Sequence, residues 1–274
     1  MGVLRVIGDS LRVGVDAQSL ERVHQLDDLM RTALPLARRV VVLSPDRDSG
    51  CSFVAGHLCT VLAARRQGRV LAVNASGRRE SLLAFAGVTT DARLDGNTQR
   101  RRAGARSAQE ATDPLVRAPS GPYALDLGCD TTSPSSESTW LESVQPAGRF
   151  FDVTVTDLGV WKPLEHAAVL DAQHVALIVT SATRDGLQRA LDLGLHLQPR
   201  GVTPHVAVVD STAGANTALP AILKQSPFPA SYVPFLRRAD RNQTPAAYAS
   251  LPLKGRLAML ELAAGIVEAC GGAR

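Results

Sequence analysis

The chain has 274 residues, 45% of them hydrophobic and 4% aromatic, with a formal net charge of +4, which is enough for one large core or two small ones. No apolar run reaches the roughly 18 residues needed to span a bilayer, and no basic-then-apolar leader is expected at the start. The four cysteines, Cys51, Cys59, Cys129 and Cys270, lack CxxC or Cys/His spacing; this argues against a zinc site or a disulfide framework and fits a reducing cytoplasm.

In chain order, VLRVIGDSLRVGVD reads as a short hairpin, and Leu20, Val23, Leu26, Leu29 and Met30 as an amphipathic helix. Residues 1–38 are therefore expected to form an N-terminal extension. From Arg39 the pattern becomes regular. RRVVVLSP is a buried, β-branched strand ended by Pro45, and DRDSGCS is a loop. FVAGHLCTVLAARRQG is a helix stopped near Gly68, and RVLAVNAS is a second buried strand. This strand–loop–helix–strand unit starts a parallel sheet. Between about 89 and 122 periodicity vanishes, which predicts a flexible surface insertion. YALDLG, FFDVTVTDLG, VALIVTSA, HVAVVDST and ASYVPF are further strands, the second of them ending in a small turn at Asp157-Leu158-Gly159. RDGLQRALDLGLHLQ is a long helix, and LKGRLAMLELAAGIVEA closes the chain. The expected fold is α/β, a doubly wound, mostly parallel sheet flanked by helices in three layers, with 39–274 as a single domain.

The positive charge is almost entirely arginine, since the lysines are Lys162, Lys224 and Lys254. The basic cluster Arg100-Arg101-Arg102 with Arg106 lies in a stretch rich in Gly, Ser and Gln without interleaved aromatics. A solvated loop is expected there, not a nucleic-acid contact. Neither GxSxG nor GxGxxG occurs, so a hydrolase elbow and a dinucleotide fingerprint are both missing. His57, on the helix after the first loop, is expected in the core or on the surface without a catalytic role. The terminal helix carries Lys254, Arg256 and Glu261 around an apolar face and is expected to pack on the domain instead of binding a membrane.

A strand, a glycine-containing loop and a helix together cradle phosphate on backbone N–H groups. The P-loop pattern GxxxxGK[ST] adds a lysine for the β/γ-phosphates and a hydroxyl for magnesium. Here Gly50-Cys51-Ser52 stands in that position, with cysteine where the lysine belongs. The competing reading is a plain helix N-cap by Ser49 or Ser52. A thiol at a helix N-terminus has its thiolate favoured, which would make Cys51 reactive; the expected reading is instead a simple replacement of a lysine no longer selected.

The order of elements resembles the MinD/ParA group of P-loop ATPases (the SIMIBI class), over roughly 39–269. In that group the first loop reads Lys-Gly-Gly-x-Gly-Lys-Thr, where this chain has Asp46-Arg47-Asp48-Ser49-Gly50-Cys51-Ser52. The group's second strand ends Asp-x-Asp, where this chain has Asn74-Ala75-Ser76. Asp157 matches the group's later aspartate before a small turn. Asp210 stands where an adenine-contacting asparagine is common, and Val233-Pro234-Phe235-Leu236 where Val-Pro-Phe-Asp is usual. The resemblance implies that Asp46, Arg47, Asp48, Ser49, Gly50, Cys51, Ser52, Asn74, Ser76, Asp157, Asp210 and Pro234 form a degenerate nucleotide site. Ser52 and Asp157 would then hold any magnesium.

Phosphoryl transfer depends on positive charge that offsets developing negative charge. Two unit charges about 4 Å apart interact by roughly 4 kcal/mol at an effective dielectric of about 20. Aspartates in the loop would therefore oppose a triphosphate, and efficient hydrolysis is not expected. The resemblance implies a regulatory or assembly factor of the division, partitioning or secretion type, with no catalytic residues and no required cofactor. Its partners would be proteins, either a second copy or an active relative, and not DNA. The rival reading is a slow Mg-ATP-dependent ATPase using Arg47 in place of lysine.

Overall fold

The computed structural model describes residues 17–34, 37–77, 81–127, 137–162, 166–210, 219–234 and 248–272. The hairpin expected near the start, Cys129, Phe235 and Leu236 lie outside these. The first described helix, α1, is Ala17–Arg31. It is followed by β1 (Arg38–Ser44), α2 (Cys51–Arg65), β2 (Val70–Asn74) and the short α3 (Leu82–Phe85).

Two small helices come next, α4 (Gly96–Ala103) and α5 (Ala108–Thr112), then strands β3 (Val116–Arg117) and β4 (Tyr123–Asp126). The chain continues through α6 (Glu137–Ser143), β5 (Val153–Val160), α7 (Ala167–Asp171), β6 (Val175–Ser181) and α8 (Arg184–Leu197). It ends with β7 (Thr203–Val209), α9 (Leu219–Leu223), β8 (Ala230–Val233) and α10 (Leu253–Gly272).

The eight strands form one sheet in the order β3-β4-β2-β5-β1-β6-β7-β8. Every pairing is parallel except β3 with β4. The chain winds from β1 outward to one side and then, from β6, to the other. This is the doubly wound topology, and it leaves its crevice at the carboxyl ends of the central strands.

Strand alternation explains the three layers. Val40 and Val42 of β1 pack with α1, α2, α3 and α10. Val41 and Leu43 pack on the opposite face, with α6, α7, α8 and α9. Strands buried on both faces read as continuous apolar runs, which is why RRVVVLS and VALIVTS carry no polar alternation. The close seating of α3 on α2 depends on Gly56, where a Cβ would lie 2.5 Å from the Leu82 carbonyl oxygen.

Three expectations need correction. The stretch 89–122 folds into α4, α5 and β3 instead of a structureless loop. Asp95 caps α4 by accepting from the N–H groups of Asn97 and Thr98, and Ser107 caps α5 from Glu110. Arg100, Arg101 and Arg106 are exposed, but Arg102 is buried, its Nε donating to the Ala111 carbonyl at 3.1 Å and Nη1 to that of Ser143 at 2.7 Å. The solvated-loop expectation therefore fails at Arg102, whose stem and head are needed to close the underside of α4; burial pulls its pKa down to about 10. Finally, β5 does not end at Asp157 but runs on to Val160, because a register slip opposite Val42 and Leu43 absorbs Leu158 as a bulge.

Candidate functional site

The expected site residues gather where the fold predicts, at the carboxyl ends of β1, β2, β5, β7 and β8. The loop leaving β1 opens with a tight turn, in which the Ser44 hydroxyl accepts from the Asp46 N–H at 3.0 Å. Asp48 then takes a left-handed backbone (φ +57°) and Gly50 another (φ +87°). Aspartate tolerates this region better than most residues, and glycine adopts it freely.

Gly50 is the N-cap of α2, and no side chain caps the helix. The N-cap role expected for Ser49 or Ser52 is thus not taken up; the Ser49 hydroxyl is buried without a hydrogen-bond partner. The Val54 N–H returns to the Gly50 carbonyl at 2.9 Å, and a glycine N-cap opening a helix is the geometry that presents backbone N–H groups to an anion.

Asp157 is fully buried beneath this turn. Its Oδ1 accepts from the Gly159 N–H at 2.9 Å and from the Cys51 thiol at 3.4 Å. Its Oδ2 has no partner of hydrogen-bond geometry. Burial pushes its pKa up; the Ser52 hydroxyl, the Gly159 N–H, the Cys51 thiol and the Leu82 N–H pull the other way. Cys51 is itself buried, and its sulfur also lies 3.9 Å from the Gly159 carbonyl. The thiol is a donor sealed against a carboxylate.

Strand register extends the polar row. Asn74 of β2 stands level with Asp157 on one side and with Asp126 of β4 on the other. In-register residues of parallel strands share a face, so all three lie on the α2 side of the sheet. The Asn74 amide donates to Asp126 Oδ1 at 3.0 Å, while its carbonyl accepts from the Ser76 N–H at 3.2 Å and hydroxyl at 2.8 Å. Sequence reasoning missed Asp126, although it ends its strand as Asp157 nears the end of its own.

On the other side of β1, Asp46 is clamped by Arg189 of α8 through contacts of 2.9, 3.2 and 3.0 Å. This pair, 143 residues apart, left no signal in the sequence. Its consequence is electrostatic: Asp46 faces the crevice already neutralised, so repulsion of an anion by the loop is weaker than two bare aspartates imply. Arg47 and Asp48 are exposed. Asp210 is buried after β7, accepts from the Tyr232 hydroxyl at 2.9 Å and, together with burial, helps push that phenol up to about 12. Pro234 follows β8 beside it, half-buried.

Ser52 and Asp157 offer a cation one hydroxyl and one free carboxylate oxygen. Among the described residues no group of three or more His, Cys, Asp or Glu side chains converges on a metal position. Such a pair suits magnesium only where phosphate and water complete the shell. For a nucleotide, the glycine-led helix start fits, and position 51, where the resemblance puts a lysine, holds a cysteine.

The fold defines the architectural class: a doubly wound α/β domain with the fold of the MinD and ParA P-loop ATPases. Solved structures similar to the chain include a ParA family ATPase from Chlorobium tepidum, 16% identical with a TM-score of 0.61, covering 83% of this chain and 98% of that one. Another is the septum site-determining protein MinD of Pyrococcus horikoshii complexed with Mg-ADP, at 17% identity and TM-score 0.60, covering 86% and 98%. A third is the MinC:MinD cell division complex of Aquifex aeolicus, at 15% identity and TM-score 0.61, covering 85% and 96%. No protein-family model and no curated protein matches the sequence. At these identities the likeness establishes the fold. Among the described residues no helix is long and apolar enough to cross a membrane.

Proposed function

We propose that this chain is a degenerate MinD/ParA-like protein, a regulatory or assembly factor of division or partitioning type that does not hydrolyse ATP efficiently. The observation that carries this is Cys51. It stands where the phosphate-binding lysine belongs, and its thiol is turned down onto Asp157 instead of out toward a ligand. An uncharged sulfhydryl supplies none of the positive charge that phosphoryl transfer requires. Arg189 does not replace it, because its guanidinium is committed to Asp46. The Pyrococcus horikoshii relative was solved with Mg-ADP, so weak residual nucleotide affinity on the backbone N–H groups is compatible with this reading, whereas turnover is not. The MinC:MinD complex supports a protein partner as the working surface, either a second copy or a nucleotide-competent relative.

The test is calorimetric titration with ATP and with ADP in magnesium, paired with size-exclusion profiles in each nucleotide. The expected result is no binding below millimolar concentration and no nucleotide-dependent change in assembly state. Micromolar binding with measurable phosphate release would overturn the proposal and make Arg47, exposed on the loop, the residue to replace next.

A further inference from the structure

At the opposite end of α2, where the amino ends of β2 and β4 meet the β3–β4 turn, lies a groove of about 320 Å³. Its walls carry Arg66, Arg69, Arg117 and Tyr123, and its edges carry Gly68 and Gly121. The three arginines are not equivalent. Arg66 is committed: it pairs with Asp152, and its two outer nitrogens donate to the carbonyls of Met30 at 2.6 Å and Thr32 at 3.1 Å. Arg69 and Arg117 are exposed and make no ion pair among the described residues. Arg117 is nevertheless held in place, since its Nε donates to the Gly121 carbonyl at 3.2 Å and its guanidinium lies 5.5 Å from the ring centre of Tyr123, its cross-strand partner. That leaves its two terminal nitrogens free to form a planar fork. Gly121 has φ +113°, and a Cβ there would lie 3.2 Å from that of Ala63, so a side chain would narrow the floor.

We infer that this groove is an anion site for a compact phosphate-bearing ligand, gripped by Arg117 and Arg69. A pre-oriented guanidinium binds phosphate through two parallel hydrogen bonds and loses little side-chain freedom in doing so. The carboxyl end of α2 opposes with about half a negative charge, against two uncompensated positive ones. Tyr123 already carries the Arg117 guanidinium over its ring and packs at a steep angle against Phe151, ring centres 5.9 Å apart, so recognition rests on the arginines and the phosphate. The site is independent of the loop at Gly50, because the 15 residues of α2 separate the two by about 22 Å, well beyond the roughly 8 Å screening length at physiological salt.

The probe is inorganic pyrophosphate, titrated calorimetrically into the full chain and into two variants, Arg69→Gln/Arg117→Gln and Arg47→Glu. All the replaced side chains are exposed, so folding is not at stake. The expected result is binding that weakens at least about tenfold in the double variant and with added salt, and is unchanged in Arg47→Glu. Equal affinity in wild type and double variant overturns the inference, as does no binding by the wild type up to ten-millimolar pyrophosphate. Loss in Arg47→Glu alone overturns it too, by placing the anion at the loop.

Discussion

Replacing Asp157 by asparagine should stabilise this protein at neutral pH. The side chain is fully buried, and one carboxylate oxygen has no hydrogen-bond partner. Leaving such a group unsatisfied costs about 1–3 kcal/mol, more when it is charged. Asparagine keeps an oxygen to accept from the Gly159 N–H and carries no charge, so the unpaired position no longer holds a buried carboxylate oxygen. For a chain of this size about 1 kcal/mol corresponds to roughly 2–4 °C in melting temperature, so a rise of at least about 2 °C is expected.

The pH dependence follows from the raised carboxyl pKa. The folded state holds the proton more tightly than the unfolded chain, whose aspartates titrate near 3.9. Wild type therefore has its full stability from this group below about pH 4 and loses it as pH rises through the folded pKa. The advantage of Asp157→Asn should accordingly grow with pH from about 4 upward. Thermal melts of both proteins at pH 4.5 and pH 8 measure it. A variant that melts below wild type at pH 8, or a difference of equal size at both values, would refute the argument and show that the carboxylate is held by favourable contacts.

His57 is buried between Phe53 and Phe85, with ring centres 4.5 and 6.0 Å away, and neither ring nitrogen has a partner; burial lowers its pKa to about 4. The unfolded chain thus takes up a proton near pH 6.5 that the folded chain refuses, a loss of about 2 kcal/mol by pH 5. His57→Phe should make the decline in unfolding free energy from urea melts between pH 7 and 5 shallower by that amount, and parallel declines would sink the assignment. Arg102→Ala should cost about 2–4 kcal/mol, since it strips the Ala111 and Ser143 carbonyls of a buried donor, while Arg101→Ala, on the exposed side of the same helix, should stay within about 0.5 kcal/mol. Equal denaturation midpoints for the two variants would return the whole basic cluster to solvent.

Much of the architecture was legible because both faces of this sheet are buried. Val40–Leu43 and Val175–Val179 are apolar at consecutive positions, and a run of that kind between helical stretches has few structural meanings other than a central parallel strand. The stretch 89–122 was not legible for the opposite reason. Its helices are short, capped by Asp95 and Ser107, and fixed by one long buried arginine instead of by an apolar face, so no periodicity announces them. The candidate site divides in the same way. Residues belonging to one strand end and its following loop, such as Asp157, Gly50 and Ser52, were visible in sequence. Partners supplied across the sheet, Asp126 beside Asn74 and Arg189 on Asp46, depend on register and helix placement, which no local pattern encodes.

Fold and loop chemistry also differ in what they cost to change. Every side chain from Val40 to Leu43 is fully buried, and each such burial is worth about 1.5–3 kcal/mol, so substitutions there are felt by the whole molecule. Arg47 and Asp48 are exposed, and the Asp46–Arg189 pair sits at the surface, where ion pairs contribute about 0–1 kcal/mol. The loop can therefore exchange its charges while the sheet persists, and the likeness of the sheet to MinD and ParA structures carries no information about turnover. Cys51 lies where these two regimes meet. It is buried like the core, yet it stands where the resemblance would put an outward lysine, and it donates to Asp157 Oδ1 beside the Gly159 N–H. A lysine reaching outward from position 51 would leave Asp157 Oδ1 with the Gly159 N–H alone, so under the proposed function the thiol satisfies a buried carboxylate where an active loop would place a charge.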